Sequence, residues 1–184
     1  ELAYWFQLKD YFESVGVVFP VLLMRNSAVL ANRKLEHTLK QLDVSVQDIF
    51  KKDPALSSWF AHKVSQIPID FSAQRAHLEK QFEELHTIAA KTDGSFLGAV
   101  TAQQKKQING LLHLEKRLLK AQKRKHEDQL SRLISLRAEI FPGGNLQERI
   151  TNFSEFYLEF GPGLIPTIKQ NLNPLDGNFT VIYL

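Results

Sequence analysis

Between Ser95 and Phe141 apolar residues recur at helical spacing with no proline, and only Gly98 and Gly110 interrupt the helix formers. The pattern predicts one very long helix. Ahead of it, Phe71, Leu78, Phe82, Leu85 and Ala89 step by alternating threes and fours, with Arg75 in the remaining slot. That is the rhythm of a coiled coil. Thr92-Asp93-Gly94 between them predicts a turn, so the two helices should pair antiparallel as a hairpin arm. The outgoing helix, from Asp70 or Ser72 to about Lys91, has roughly 21 residues and spans about 31 Å. It should therefore run out opposite Leu114–Leu118. The remainder of the long helix must pack on something else, an α/β body. Its doublets Leu111/Leu112, Leu118/Leu119 and Leu133/Ile134 suit burial on more than one side.

The flanking segments carry shorter patterns. Glu1–Val15 has helical spacing and Gly16 is placed to cap its end. Val17–Leu23 is a continuous apolar run and predicts a strand, with Pro20 marking an edge or bulge. Asn26 or Ser27 then caps an expected helix, Ala28–Leu42. A short helix is expected at Ser45–Phe50, and Asp53-Pro54 opens another running to about Val64. Pro142-Gly143-Gly144 ends the long helix. Helices are expected at Leu146–Phe160 and Leu164–Leu172, and a strand at Phe179–Leu184. The expected class is mainly α: a long antiparallel coiled-coil hairpin attached to a partial, Rossmann-like α/β piece with one or two strands. The expected domains are 1–70, the α/β piece with short helices; 71–141, the arm; and 142–184, C-terminal helices and a strand packing back on the core. A lone strand cannot bury itself, so its neighbour is either Phe179–Leu184 or absent. The opening at Glu1, inside a helical pattern, suggests a piece of a longer protein.

Composition changes this picture in two places. There is no cysteine among the 184 residues, which excludes disulfides, thiol catalysis and thiolate metal sites here and is compatible with a cytoplasmic protein. No run of ~18 apolar residues predicts a membrane span. The net charge is only +3, but residues 101–139 hold ten Lys or Arg against four Asp or Glu. The rest of the chain is therefore net negative, and the positive charge belongs to one helix.

Candidate chemistry follows from these positions. Lys116, Lys120, Lys123 and Arg124 share one side of the long helix and form an anion-binding candidate, for a nucleotide or another phosphate; a solvated face, partly neutralised by Glu115, Glu127 and Asp128, is the plainer reading. No aromatics interleave for base stacking, which argues against nucleic acid. Arg25-Asn26-Ser27 follows the expected strand, where open α/β sheets bind ligands; a helix cap with a surface arginine is the plainer alternative. None of the six histidines has zinc-helix spacing, so no metal site is expected. No phosphate loop and no Ser-His-Asp set is visible.

Four stretches in register carry a resemblance. They are Glu1-Leu2-Ala3-Tyr4-Trp5-Phe6-Gln7-Leu8, Phe19-Pro20-Val21-Leu22-Leu23-Met24-Arg25-Asn26-Ser27, Leu118-Leu119-Lys120-Ala121-Gln122-Lys123-Arg124-Lys125 and Phe141-Pro142-Gly143-Gly144-Asn145-Leu146-Gln147-Glu148-Arg149. Phe156-Tyr157 and Gly161-Pro162 add to them. Together they resemble the C-terminal part of the bacillithiol-biosynthesis cysteine-adding enzyme family, almost end to end. The resemblance implies a ligase that joins cysteine to glucosaminyl-malate, a Rossmann-like core lying mostly outside this chain, and a homodimer formed through the coiled coil. It does not identify an activating cofactor or catalytic residues. On motif and polarity, Arg25, Asn26, Ser27, Lys120, Lys123, Arg124, Gln147, Glu148 and Arg149 are the candidate substrate- or nucleotide-binding residues. Arg149 could clamp a carboxylate or phosphate, or pair with Glu148 or Glu155. The implied partners are a second copy of the chain, cysteine and glucosaminyl-malate, with no membrane. By itself this piece is expected to be inactive. The alternative is a non-enzymatic coiled-coil dimerisation or scaffold module.

Overall fold

The computed structural model describes residues 2–184. In chain order it contains α1 (Leu2–Gln7), α2 (Lys9–Ser14), β1 (Ser27–Ala31), α3 (Arg33–Gln41), α4 (Asp53–Val64), α5 (Ser72–Ala89), α6 (Gly94–Lys125), α7 (Glu127–Ile140), α8 (Gln147–Ile150), α9 (Phe153–Phe160), α10 (Leu164–Asn171) and β2 (Phe179–Tyr183). Single 3-10 turns lie at Asp48–Phe50, Pro142–Gly144 and Gly161–Gly163. The chain is mainly helical with one two-stranded parallel sheet, β1 beside β2. Contacts divide it into two units. One holds the residues up to Gln41 together with Leu136–Leu184, and the other holds Leu42–Ser135.

In the first unit the sheet is the organising feature. Val29 and Ala31 are buried on one face of β1 and Ile182 on the opposite face of β2. Leu35 and Leu39, on one side of α3, are also buried, as are Leu136, Ile140 and Leu164. The strand does not form at Val17–Leu23, where the apolar run predicted it. Residues 15–26 have no regular structure, and Val18 is 90% and Val21 88% exposed. Pro20 lacks a ladder donor, whereas Ser27–Ala31 finds hydrogen-bond partners on both sides. That also shortens the expected Ala28–Leu42 helix. It begins at Arg33, and its cap is Asn32, whose Oδ1 accepts from the Lys34 N–H at 2.9 Å, rather than Asn26 or Ser27. Gly16 does end α2. With φ of +69° it lets Val17 N–H reach the Phe12 carbonyl and its own N–H reach that of Glu13, a Schellman closure.

The expected Leu146–Phe160 helix is two helices. Thr151 is extended, and Asn152 caps α9 by accepting from the Ser154 N–H at 3.0 Å. The long helix is likewise divided. His126 leaves helical geometry (φ −112°, ψ 28°) between α6 and α7, although His126 N–H still bonds Gln122 and Leu130 N–H still bonds His126. Neither Pro nor Gly stands there, so the break left no mark in the sequence pattern. Gly98 and Gly110, the two expected weak points, lie inside an unbroken α6.

In the second unit α5 and α6 pack on one another around Phe82, Ala89 and Val100, with Leu78 alongside. His86 and Gln104 are hydrogen-bonded at 2.9 Å, and Glu115 accepts from the Phe71 N–H at 3.0 Å. Phe71, next to the start of α5, and Glu115 of α6 are thus in contact, as are His86 and Gln104. α6 also packs on α4. Leu56, Phe60 and Ala61 of α4 are fully buried, as are Ile49 and Leu133.

The turn before α4 carries a reciprocal cap. Ser45 donates to Asp48 Oδ2 from its N–H at 3.2 Å and from its hydroxyl at 2.6 Å, while Asp48 N–H returns to Ser45 Oγ at 3.2 Å. Lys51 binds the other carboxylate oxygen. The Lys51 hydrogen bond first, and the Ser45 hydroxyl next, hold Asp48 below the ordinary 3.8. A depressed carboxylate contributes its stability above the unfolded pKa and loses it as pH falls through the folded one. Asp48→Asn should therefore lower the urea midpoint at pH 7, and the difference should be smaller at about pH 2.5, because it begins to shrink once the pH falls below the unfolded carboxylate value. An equal difference at both pH values would rule out this cap as the cause.

Candidate functional site

The candidate residues fall into two groups, one in each unit. The first is built on the turn after α7. Gly143 and Gly144 both have positive φ, +59° and +79°, a pair of conformations that favours glycine. They turn the chain so that α8 starts beside β1. Because Leu184 N–H bonds Ala31 O at 2.9 Å, strand alternation turns Ser27, Val29 and Ala31 towards β2 and turns Ala28 and Leu30 away from it. Those outward groups are met by side chains of α8. Gln147 Oε1 accepts from Leu30 N–H at 2.9 Å, and its Nε2 donates to Leu30 O at 3.0 Å and Glu139 O at 3.3 Å. Glu148 Oε2 accepts from Ala28 N–H at 3.3 Å. The side-chain amide of Gln147, only 8% exposed, stands where a neighbouring strand would supply its backbone.

This sorts the first group. Gln147 staples α8 to β1, with both atoms of its side-chain amide engaged by backbone groups. Asn26 is tied through Nδ2 to the Asn173 carbonyl at 2.7 Å. Ser27 opens β1, its hydroxyl 3.5 Å from Glu148 Oε1. Arg25 and Arg149 keep chemical potential. Arg25 Nη2 donates to Glu148 Oε1 at 2.5 Å and Arg149 Nε lies 3.9 Å from the same oxygen, with both arginine side chains more than half exposed. All three border a cleft of about 650 Å³ whose other walls include Leu2, Trp5, Val21, Leu23, Met24 and Leu146. Two guanidinium groups share one carboxylate that also serves Ala28, so the cleft keeps a net positive charge. An apolar pocket with exposed guanidinium forks suits a small carboxylate or phosphate.

The second group lies on α6. Lys120, Lys123 and Arg124 do converge, bordering a depression of about 710 Å³ with Asp53, Pro54, Ser57 and Glu127. Lys123 Nζ donates to Ser58 Oγ at 2.9 Å, which anchors it to α4. Asp53 and Glu127 bring two carboxylates to three cations, so this surface, where α4 meets α6, is partly neutralised and keeps one net positive charge. The α4 side of it, Asp53, Ser57 and Ser58, was not among the sequence candidates. No spacing within α4 announces a contact 65 residues away. Among the described residues no cluster of His, Asp or Glu could hold a metal ion, and no helix is long and apolar enough to cross a membrane.

Comparison with known proteins places these features. The family described as "Bacillithiol biosynthesis BshC, C-terminal coiled-coil domain" matches residues 28–184. A protein of Christiangramia forsetii named "Putative cysteine ligase BshC" is 50% identical over 182 residues, 99% of this chain and 34% of its own length. One of Flavobacterium psychrophilum with the same name is 51% identical over the same span. One of Bacillus cereus, also so named, is 28% identical over 190 aligned residues, covering all of this chain and 35% of its own length. The chain thus spans about a third of the length of the curated relatives it matches.

Proposed function

We propose, for a chain that belongs to the family of the C-terminal coiled-coil domain of bacillithiol-biosynthesis BshC, that it is one part of a ligase joining cysteine to glucosaminyl-malate. The observation that carries this reading is the match over 99% of the chain at 50% identity to a relative whose name describes a cysteine ligase. Ligase chemistry at a carboxyl needs anion recognition, and the Arg25–Glu148–Arg149 cleft supplies it: Arg25 meets the carboxylate-bearing substrate, and Glu148 holds the guanidinium in place. The α5–α6 pair is an antiparallel hairpin arm that joins two copies. Ile88, Phe96 and Leu114 support this, since these large apolar side chains on the two helices remain exposed. The first unit is the terminal piece of a Rossmann-like core, an assignment supported by its parallel strand pair.

The test uses the longer protein, incubated with cysteine, glucosaminyl-malate and a series of nucleoside triphosphates, with product followed by mass. Arg25→Ala is expected to lower kcat/KM for glucosaminyl-malate by roughly tenfold or more, as for loss of one charge-assisted contact, with partial recovery in Arg25→Lys. No condensation product from the wild-type protein would end the ligase reading. Full activity in Arg25→Ala would end the role of this cleft.

A further inference from the structure

We propose that the sheet of the longer protein continues through the outer edge of β2, which receives a strand from the part of the protein outside these 184 residues. The proposal rests on the reading of the chain as one part of a longer ligase. It concerns which of the two sheet edges is open, and the hydrogen bonds decide that.

The edge of β1 is closed. Ala28 N–H is taken by Glu148, and both the N–H and the carbonyl of Leu30 by Gln147. A strand arriving there would have to displace a buried glutamine. The register puts the edge of β2 in the opposite state. Thr180, Ile182 and Leu184 face β1, so Val181 and Tyr183 turn their backbone groups outward. Among the described residues, none offers Val181 or Tyr183 a hydrogen bond on that side. Such groups repeat along the strand as alternating donors and acceptors, a pattern that another strand matches.

Two further observations favour an occupied edge. Solvent-facing edge strands are ordinarily protected by lysine, proline or a bulge. Phe179-Thr180-Val181-Ile182-Tyr183-Leu184 has none of the first two and pairs with β1 in unbroken register. The strand pair is also of the interior kind, with Val29 and Ala31 buried on one face and Ile182 on the other. Parallel sheets covered on both faces belong to larger sheets, and two strands alone are marginal. The occupant follows from length: about two thirds of each matched relative lies outside the region this chain covers.

Amide hydrogen exchange on the longer protein tests this directly. Val181 and Tyr183 N–H are expected to exchange at least roughly a hundredfold more slowly than unstructured amides, as is expected of the hydrogen-bonded Leu30 N–H. Exchange at loop-like rates would overturn the proposal. So would protection that disappears on dilution to monomer, because the strand would then come from a second copy. A variant pair gives an independent reading. Val181→Pro removes one outward N–H and no bond to β1, so a free edge would tolerate it. Its melting temperature is expected to fall well below that of Val181→Ala; equal values would overturn the proposal. Ligation is read in neither experiment. Rapid exchange in an active ligase would remove the strand alone, and an inactive protein with protected amides would remove only the ligase reading.

Discussion

Gln147→Ala is expected to destabilise the protein by about 2–4 kcal/mol, from backbone groups left unsatisfied in a buried place. The side chain satisfies three of them: Leu30 N–H, Leu30 O and Glu139 O. No other side chain of α8 reaches Leu30, because Glu148 is engaged with Ala28 and Arg25. A cavity of about 330 Å³ borders Gln147 and Leu30, so water entering the truncated site would bring the loss to the lower end of that range. Gln147→Glu separates shape from hydrogen bonding. It keeps the acceptor for Leu30 N–H but turns a carboxylate oxygen on two carbonyls, which favours the protonated acid. Raising the folded pKa of that introduced carboxyl makes the penalty small at low pH and larger as pH rises through the unfolded value, about 4.3. The gap to wild type in urea midpoint should therefore widen from about pH 4 to pH 7. If Gln147→Ala unfolds within about 0.5 kcal/mol of wild type, a typical surface effect, the staple does not hold β1.

The staple also shows where the sequence pattern was readable and where it was not. The phrase from Phe141 to Arg149 stood out, and its polar residues were expected to meet a ligand. Two successive left-handed glycines and a buried amide give part of it a structural meaning: the turn brings Gln147 and Glu148 to a strand edge. Spacing cannot reveal that, because the strand lies 117 residues away. The strand itself was misplaced for a related reason. Val17–Leu23 is the more apolar run, but a strand is made by its partners, and only Ser27–Ala31 has them. Local signals did better where the chemistry is local. The Gly16 closure, the Ser45–Asp48 cap and the helix start at Asp53 follow from the residues themselves. The break at His126 had no local signal. Of the candidate binders, Arg25 and Arg149 border one cleft beside Glu148, and Lys120, Lys123 and Arg124 gather at a second place beside Asp53 and Glu127.

Phe60→Ala is expected to cost about 3–5 kcal/mol, the usual range for a large aromatic removed from a tight core. Phe60 is wholly buried, one turn from the equally buried Leu56, on the side of α4 next to fully buried Ala61. The same helix meets α6, where Lys123 donates to Ser58. Removing the ring therefore opens a cavity in the core of the unit that holds α4 and α6. Trp59 reports the change locally. Its ring lies 6.5 Å from that of Phe60 and carries the Lys51 and Lys63 ammonium groups at 4.6 and 5.4 Å. The chain has only two tryptophans, so a Trp5→Phe background makes its fluorescence specific. Urea unfolding followed at Trp59 should show the loss, with Phe60→Leu losing a smaller part. The contrast is Phe6, 60% exposed. The cost at Phe60 is set by complete burial, so the same truncation at Phe6 should cost much less. A Phe60→Ala loss below about 1 kcal/mol would mean that the core is not closed around this ring.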